Sequence, residues 1–508
     1  MNGELLADQP LGEKLIKKGF WLYFFTILIA PTGYFIRVIV SNSVSVADVG
    51  IIYSIMGFIG ILSAYHDLGL TEALQYHLPK YRIQKKYNAF KTSIYFTMVI
   101  QTITGLIIAF ILFFGANYLG VYYFHSPESV HIIKIFCLYF LGMNFYNILY
   151  SIYISFQDVI QYKIIEGIRG YTTLIFTILF FFLGSLNITN FTRAWILGLG
   201  ISLIISGIIF RKKYGYTLQK GKIQLEKSLI KKQIQYAFRI FIGINVIYLL
   251  SQIDQQFIIY FLGAEKAGYY ANYLSLILSF SIFTAPLLGY LFPLTTELLE
   301  KKEYEKIRKL KNILYKLFSL FAISISGLFI AFGPEIATIL FGKKFLYSGK
   351  LLTYSAGFLI FYVLFNINLS FLAGMGKVKQ RAKIIFITLI TNIIFNLIFI
   401  YLRGVIGVIS ATMISRIMLF IMSYKLIDKR KEISFNRGYL IKNLVVIIIL
   451  STIIIIYKNN IFVLEDMYRY KNLMYFVLTG IGYYIIIGSV NYKNIQYVLK
   501  EIKQLKKE

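Results

Sequence analysis

The chain has 508 residues, of which 58% are hydrophobic and 15% charged, against roughly 45–50% apolar and about 25% charged in soluble domains. That balance excludes a soluble globular protein. The 53 Lys and Arg against 23 Asp and Glu leave a formal charge of +30, which in a membrane protein marks cytoplasmic loops and anionic lipid contact rather than nucleic acid.

Apolar runs long enough for a crossing predict helices at 20–40, 47–75, 92–115, 132–156, 166–186 and 194–210, then at 237–262, 267–297, 312–332, 350–373, 382–402 and 404–424, with a last pair at 443–457 and 472–490. The expectation is an all-α polytopic membrane protein with 14 transmembrane helices. Lys14, Lys17 and Lys18 precede a first run that is too long for an export-signal core and lacks a small-residue cleavage site, so it reads as a retained helix with Met1–Lys18 at the inner interface. With that end inside, the tails and even-numbered loops hold about four times as many Lys and Arg as the odd-numbered loops, which places both termini in the cytoplasm of a cell (inner) membrane protein. In residues 211–232, Ile223, Leu225, Leu229 and Ile230 interleave with lysines and predict an amphipathic interfacial helix. The domain expectation is an N-terminal lobe over 1–210, a cytoplasmic linker over 211–236, a C-terminal lobe over 237–428, and a helix pair with a basic tail over 429–508.

The two six-helix blocks read as copies at an offset of 218 residues. Gly50 corresponds to Gly268, Phe114-Gly115 to Phe332-Gly333, Lys85 falls one place from Lys302, and the inner loop around Gln157 falls on Met375–Lys377. Six crossings per copy preserve orientation. The repeat is therefore parallel, with lobes related by a pseudo-two-fold axis along the membrane normal that rock about a central site.

Embedded polar residues are the functional candidates. Arg37 lies deep in helix 1 and Arg416 within helix 12; such arginines are costly unless they face a cavity or partner, and the planar fork suits phosphate. On helix 7, Asn245, Tyr248, Gln252, Gln255 and Gln256 recur mostly at spacings of three and four, so they share a face. Amides and a phenol match sugar hydroxyls, and the same stripe serves equally well as polar glue between helices. The candidate substrate-binding set is Arg37, Asn245, Tyr248, Gln252, Gln256 and Arg416. Asp67, Asp254 and Arg239 are candidates for coupling or gating, Arg239 doubling as an interfacial anchor and Asp67 as a structural group beside Gly69. Gly243 is a candidate bend in helix 7. The single cysteine, Cys137, excludes an intrachain disulfide, and four scattered histidines argue against a Cys/His metal cluster.

Asp254-Gln-Gln-Phe-Ile-Ile-Tyr-Phe-Leu-Gly263, Gly268-Tyr-Tyr270, Leu291-Phe-Pro293, Phe332-Gly-Pro-Glu335, Leu340-Phe-Gly342, Ala373-Gly-Met-Gly-Lys377, Asn392 with Asn396, and Gly404 to Thr412 resemble the polysaccharide flippases of the multidrug, oligosaccharidyl-lipid and polysaccharide exporter superfamily. Asp48-Val-Gly50, Tyr53 and His66-Asp67-Leu-Gly-Leu70 supply a weaker counterpart in the first block, and the resemblance covers roughly residues 15–430. It implies two six-helix lobes around a cavity. It also implies transfer of a polyprenyl-diphosphate-linked oligosaccharide from the inner to the outer leaflet by alternating access. Such transfer needs no covalent chemistry, so neither an enzyme nor a cofactor is expected, only coupling to a proton, sodium or the membrane potential. The implied partners are the lipid-linked glycan, membrane lipids and polysaccharide assembly proteins. In related lipid II flippases an extra helix pair shapes a groove for the lipid tail, the analogous role for 443–490. Two alternatives remain. Another exporter of the superfamily, such as a lipid II flippase or a multidrug or cation antiporter, is the nearer one; an antiporter would draw on Asp67 and Asp254. A polytopic glycosyltransferase or polymerase would need a large outer loop, where 116–131 offers only His125, Glu128 and His131.

Overall fold

The computed structural model describes residues 11–156, 158–427, 437–458 and 469–507; the expectations placed on Met1–Lys18, Gln157 and Gly243 lie outside the described residues or their side chains. Two compact units are present, Met1–Gly268 and Tyr269–Glu508. The first holds α1 (Leu11–Ser43), α2 (Val46–His66), α3 (Leu70–Ile83), α4 (Tyr87–Tyr118), α5 (Glu128–Ser155), α6 (Val159–Phe182), α7 (Ile188–Gln219) and α8 (Lys227–Leu278) as far as Gly268. The second holds the rest of α8, then α9 (Ser281–Glu300), α10 (Tyr304–Phe341), α11 (Leu346–Ser355), α12 (Leu359–Gly374), α13 (Val378–Ile427), α14 (Arg437–Lys458), α15 (Arg469–Val490) and α16 (Tyr492–Lys507). The helix at 237–262, assigned from sequence to the later lobe, is thus grouped by contact with the first six.

Among the described residues eleven helices are long and apolar enough to cross a bilayer, twelve with Lys227–Phe241 and Asn245–Leu278 taken as one. The chain is a multi-pass membrane protein, but fourteen crossings are not reached as a count. Part of the difference is length. α13 has 50 residues, about 75 Å at 1.5 Å per residue, against a hydrocarbon core of about 30 Å. It breaks at Gly404 (φ 56°, ψ −132°), where the apolar pattern separates 382–402 from 404–424.

Local chemistry sets the other breaks. Ser45 and Asp48 cap α2 reciprocally, each side chain taking the other's backbone N–H at 3.1 Å. The single helix expected over 47–75 stops at His66, because Leu68 (φ 52°) and Gly69 (φ 75°) turn left-handed before α3 begins. A Cβ on Gly69 would also lie 2.4 Å from the Ala237 carbonyl oxygen, so glycine is required there twice over. The ends of α3 and α9 repeat one device: Lys85 (φ 55°) and Lys302 (φ 58°) both leave the helix through left-handed backbone.

Two expectations about connections are corrected. Residues 211–232 do not form one interfacial helix: α7 runs to Gln219, residues 221–226 are non-helical, and α8 starts at Lys227. The intervening peptides find partners on the first turns of α4, with Lys222 N donating to Asn88 Oδ1 (2.8 Å), Gln224 N to Thr92 Oγ1 (2.9 Å) and Lys91 Nζ to the Gly221 carbonyl (3.1 Å). The outer loop at 116–131 shrinks to residues 124–127, because α4 continues to Tyr118 and a π-helical turn follows over Leu119–Tyr123.

In the second unit α14 and α15 pack on α10. Ser451 donates to the Gly327 carbonyl (3.1 Å) and Tyr483 to the Ser324 carbonyl (2.9 Å). Lys458 meets both carboxylate oxygens of Glu335 at 2.9 and 3.0 Å, with both side chains largely buried.

Candidate functional site

In the first unit α2, α3, α5 and α8 enclose a cavity of about 470 Å³, within the roughly 300–1,000 Å³ of small-molecule sites. Its polar lining comes from Ser63, Asp67, Thr71, Glu72, Gln75, Asn147, Ser151, Asn245 and the phenols of Tyr139, Tyr150 and Tyr248. Phe136, Phe140, Met143 and Phe241 supply much of the apolar remainder. A pocket lined by hydroxyls, amides and aromatic faces can hold a polyhydroxylated group away from hydrocarbon.

The α2–α3 joint organises one part of this lining. Asp67 accepts from the Thr71 hydroxyl (2.9 Å), from the Thr71 amide and from the Gln101 side chain. The Thr71 hydroxyl also lies 3.2 Å from Glu72 Oε2, and His66 Nε2 lies 2.8 Å from the Gln101 carbonyl oxygen. Asp67 stands one residue past the span Val46–His66. Burial, and then the neighbouring Glu72 charge, push its carboxyl above the usual carboxylate range.

The polar stripe of helix 7 divides between two surroundings. Asn245 and Tyr248 face the cavity. The Asn245 amide donates to the Phe241 carbonyl (2.7 Å), and its Oδ1 is buried without a hydrogen-bond partner. The Tyr248 hydroxyl occupies the space a side chain at Gly60 would fill. Gln255 and Gln256 turn instead onto α2: Gln255 donates to Ser54 Oγ (2.7 Å) and the Ala267 carbonyl (3.1 Å), while Gln256 donates to the Ser54 carbonyl (3.0 Å) and accepts from Tyr123 (3.1 Å). Gln252 packs where Gly57 leaves room, its Oε1 2.8 Å from the position of a Cβ there.

The structure thus brings Asp67, Asn245 and Tyr248 onto one cavity and leaves the other candidates outside its lining. Arg37 sits two turns before the end of α1, with its guanidinium 3.6 Å from the centre of the Tyr53 ring. Asp254 is buried on α8, and Arg239 is exposed. Arg416 belongs to the second unit, 5.6 Å from the Phe365 ring centre.

Sequence reading missed Arg169. Starting the fifth span at 166 made it a charge at a helix end, whereas α6 begins at Val159 and the span Ile160–Phe182 places Arg169 close to its middle. An arginine at such depth costs about 2.5–3.5 kcal/mol on insertion scales. Its guanidinium lies 4.7 Å from the Tyr146 ring centre, and Nη1 donates to Met143 Sδ at 3.3 Å. A signal was present: Lys163, Glu166 and Arg169 recur every third residue and so share a face of one helix.

A profile of the family described as polysaccharide biosynthesis protein matches residues 15–299, more than half of the chain. The chain belongs to this family. An uncharacterized membrane protein of Methanocaldococcus jannaschii is 27% identical over 451 residues, covering 85% of this chain and 88% of that protein. Among solved structures, the lipid II flippase MurJ in an inward closed conformation superposes with a TM-score of 0.69 at 19% identity, over 94% of this chain and 99% of that one. An inward-facing multidrug resistance MATE family transporter of the MOP superfamily superposes with a TM-score of 0.66 at 15% identity, over 81% and 96%. This polysaccharide biosynthesis family member therefore shares the fold common to both structures.

Proposed function

We propose that this family member flips a polyprenyl-diphosphate-linked oligosaccharide from the inner to the outer leaflet of the cytoplasmic membrane by alternating access, with both termini inside. The observation that carries this reading is the cavity among α2, α3, α5 and α8, whose amides, hydroxyls and tyrosine rings suit a glycan headgroup. Family membership supports the glycan as cargo. Asn245, Tyr248 and Asp67 are the proposed sugar contacts; Arg37 and Arg416 are proposed to engage the diphosphate during passage, and Asp67, Asp254 and Arg239 to couple or gate it. Asp67 is also the proposed carrier of a coupling proton.

The test is a flipping assay in proteoliposomes with a fluorescent polyprenyl-diphosphate oligosaccharide and a membrane-impermeant quencher. Time-dependent protection or exposure of the headgroup beyond that in protein-free vesicles is expected. Equal traces with and without protein overturn the reading. Cysteines at Ser126 and Lys220 in a Cys137→Ser background test the orientation: only the former should react from outside.

A multidrug or cation exporter is the second reading, favoured by one observation: the charged side chains lining the cavity are Asp67 and Glu72, with no Lys or Arg among the described lining residues. Transport of an organic cation, with no flipping of the lipid-linked glycan, would establish it.

A further inference from the structure

We propose that Arg169, Tyr146 and Met143 form an oxyanion-binding subsite in the α5–α6 wall of the cavity, with the Met143 side chain as its displaceable cover. The identity of the ligand rests on the transport reading above; the subsite itself rests on three observations.

Arg169 lies near the middle of an apolar span, yet no carboxylate among the described residues stands within ion-pair distance of it. Glu166, one turn earlier on the same helix, is held by Lys163 at 2.8 Å. What Arg169 touches is the face of Tyr146 and the sulfur of Met143. A thioether is a weak acceptor, so most of the hydrogen-bonding capacity of the guanidinium is unused.

The Tyr146 hydroxyl is the second observation. Tyr146 is 4% exposed, and its OH is buried with no hydrogen-bond partner. A buried hydroxyl without a partner carries a desolvation cost that a ligand acceptor would relieve. A cation and an unused O–H donor on adjoining helices call for the same thing, an acceptor bearing negative charge.

The third observation is access. Met143, Tyr139 and Tyr150 all line the cavity, so a group inside it reaches Arg169 by moving one unbranched, flexible side chain. An oxyanion replacing the sulfur would be held by two guanidinium N–H groups at once, in the bidentate manner of carboxylates and phosphates. Tyr139 and Tyr150 would present ring faces or phenols to an attached sugar. An acidic substituent on the glycan, a carboxylate or phosphate ester, and the diphosphate of a lipid carrier share this chemistry.

The experiment is calorimetric titration of the purified full-length protein with three probes: a trigalacturonate, a neutral galactose trisaccharide, and polyprenyl diphosphate carrying no sugar. At least one anion is expected to bind. Arg169→Gln should weaken it by about tenfold or more, Arg169→Lys by less, and Tyr146→Phe by roughly three- to fivefold, as expected for lost hydrogen bonds to a charged group. Affinity for the neutral trisaccharide should stay within about twofold of wild type, since it makes no charge-assisted bond. The anion that binds in an Arg169-dependent way identifies the source of the oxyanion. Failure of both anions to bind the wild-type protein overturns the subsite, as does wild-type affinity in Arg169→Gln and Tyr146→Phe. Tyr146→Phe removes one oxygen and keeps the ring, so it decides the matter should Arg169→Gln not fold. The flipping assay on the same preparations separates the two proposals: flipping without Arg169-dependent binding leaves transport standing and removes the subsite, and the converse removes transport alone.

Discussion

Gly50 on α2 and Gly268 on α8 meet backbone to backbone: a Cβ on Gly50 would lie 1.9 Å from the Ala264 carbonyl oxygen and 2.7 Å from Gly268 N, and one on Gly268 would lie 2.0 Å from the Val46 carbonyl oxygen. These are the two residues that the internal repeat places in correspondence. Because the obstructing atoms are backbone, no side chain can swing aside to make room.

Gly50→Ala should therefore destabilise the protein by about 1–3 kcal/mol through overpacking. Gly115 has nothing within 4 Å of its ideal Cβ, so Gly115→Ala should be neutral or slightly stabilising, in keeping with helix propensity. Thermal unfolding in detergent, followed by size exclusion, reads both. A Gly50→Ala protein that melts with the wild type would remove the close approach.

Cysteine scanning along α8 tests which polar residues are wet. In a Cys137→Ser background, Asn245→Cys and Tyr248→Cys should react with a small aqueous thiol reagent, and bound lipid-linked glycan should slow them. Gln256→Cys should react poorly, because that side chain is packed on Ser54 and Tyr123. Equal rates at all three positions would mean the stripe is one continuous wet face, as periodicity alone implies.

Asp158 gives a pH-dependent prediction at the start of α6. Burial pushes its carboxyl up, but hydrogen bonds from Lys213 and Tyr214, the Lys213 charge and the Gln161 amide outweigh this and hold it below the usual carboxylate value. A depressed folded value contributes stability above the unfolded pKa of about 3.9 and loses it as pH falls through the lower folded value. Asn also caps helices, so Asp158→Asn isolates the charge; it should cost about 1 kcal/mol at pH 7, and that cost should shrink progressively as pH falls below the usual carboxylate value toward the lower folded one. A cost independent of pH would show that the ion pair contributes nothing.

The Lys458–Glu335 pair makes an asymmetric prediction. Lys458→Met leaves a buried carboxylate whose charged partner is gone and should cost about 3–5 kcal/mol. Adding Glu335→Gln should recover much of that, because the isolated charge disappears with it. Unfolding of the single and double variants decides; additive losses would indicate that the two side chains act independently.

The His66–Leu70 joint lay inside the single helix expected over 47–75, whereas the break at Gly404 and the basic turns at Lys85 and Lys302 were legible, because each rests on glycine or on charge and apolar runs that change abruptly. Arg169 was not. Hydropathy trims a helix to its apolar run, so the polar turns carrying Lys163 and Glu166 looked like loop, although a paired acid and base extend a helix at little cost. Helical periodicity found the face bearing Asn245 and Gln256 but carries no information on which neighbour that face meets. Ser54, Gly57 and Gly60 on another helix decide that, and they lie nearly two hundred residues away in the chain.

The π-helical turn at Leu119–Tyr123 bears on how this region tolerates changes in length. Such a turn holds one residue more than an α-helical turn, closed here by the Phe124 amide on the Leu119 carbonyl at 2.8 Å. Deleting one of these five residues would let ordinary α-helical hydrogen bonding resume, so the backbone could absorb the loss. Because the wide turn and the α-helical turn that replaces it each complete about one rotation, the residues C-terminal to the deletion would keep their angular phase, and Tyr123 would still face Gln256, its partner at 3.1 Å. A single-codon deletion within Leu119–Tyr122 should consequently leave the membrane segment insertable and the C-terminal end of α4 still attached to α8, whereas the same deletion in the regular α-helical part of α4 should rotate Tyr123 off Gln256.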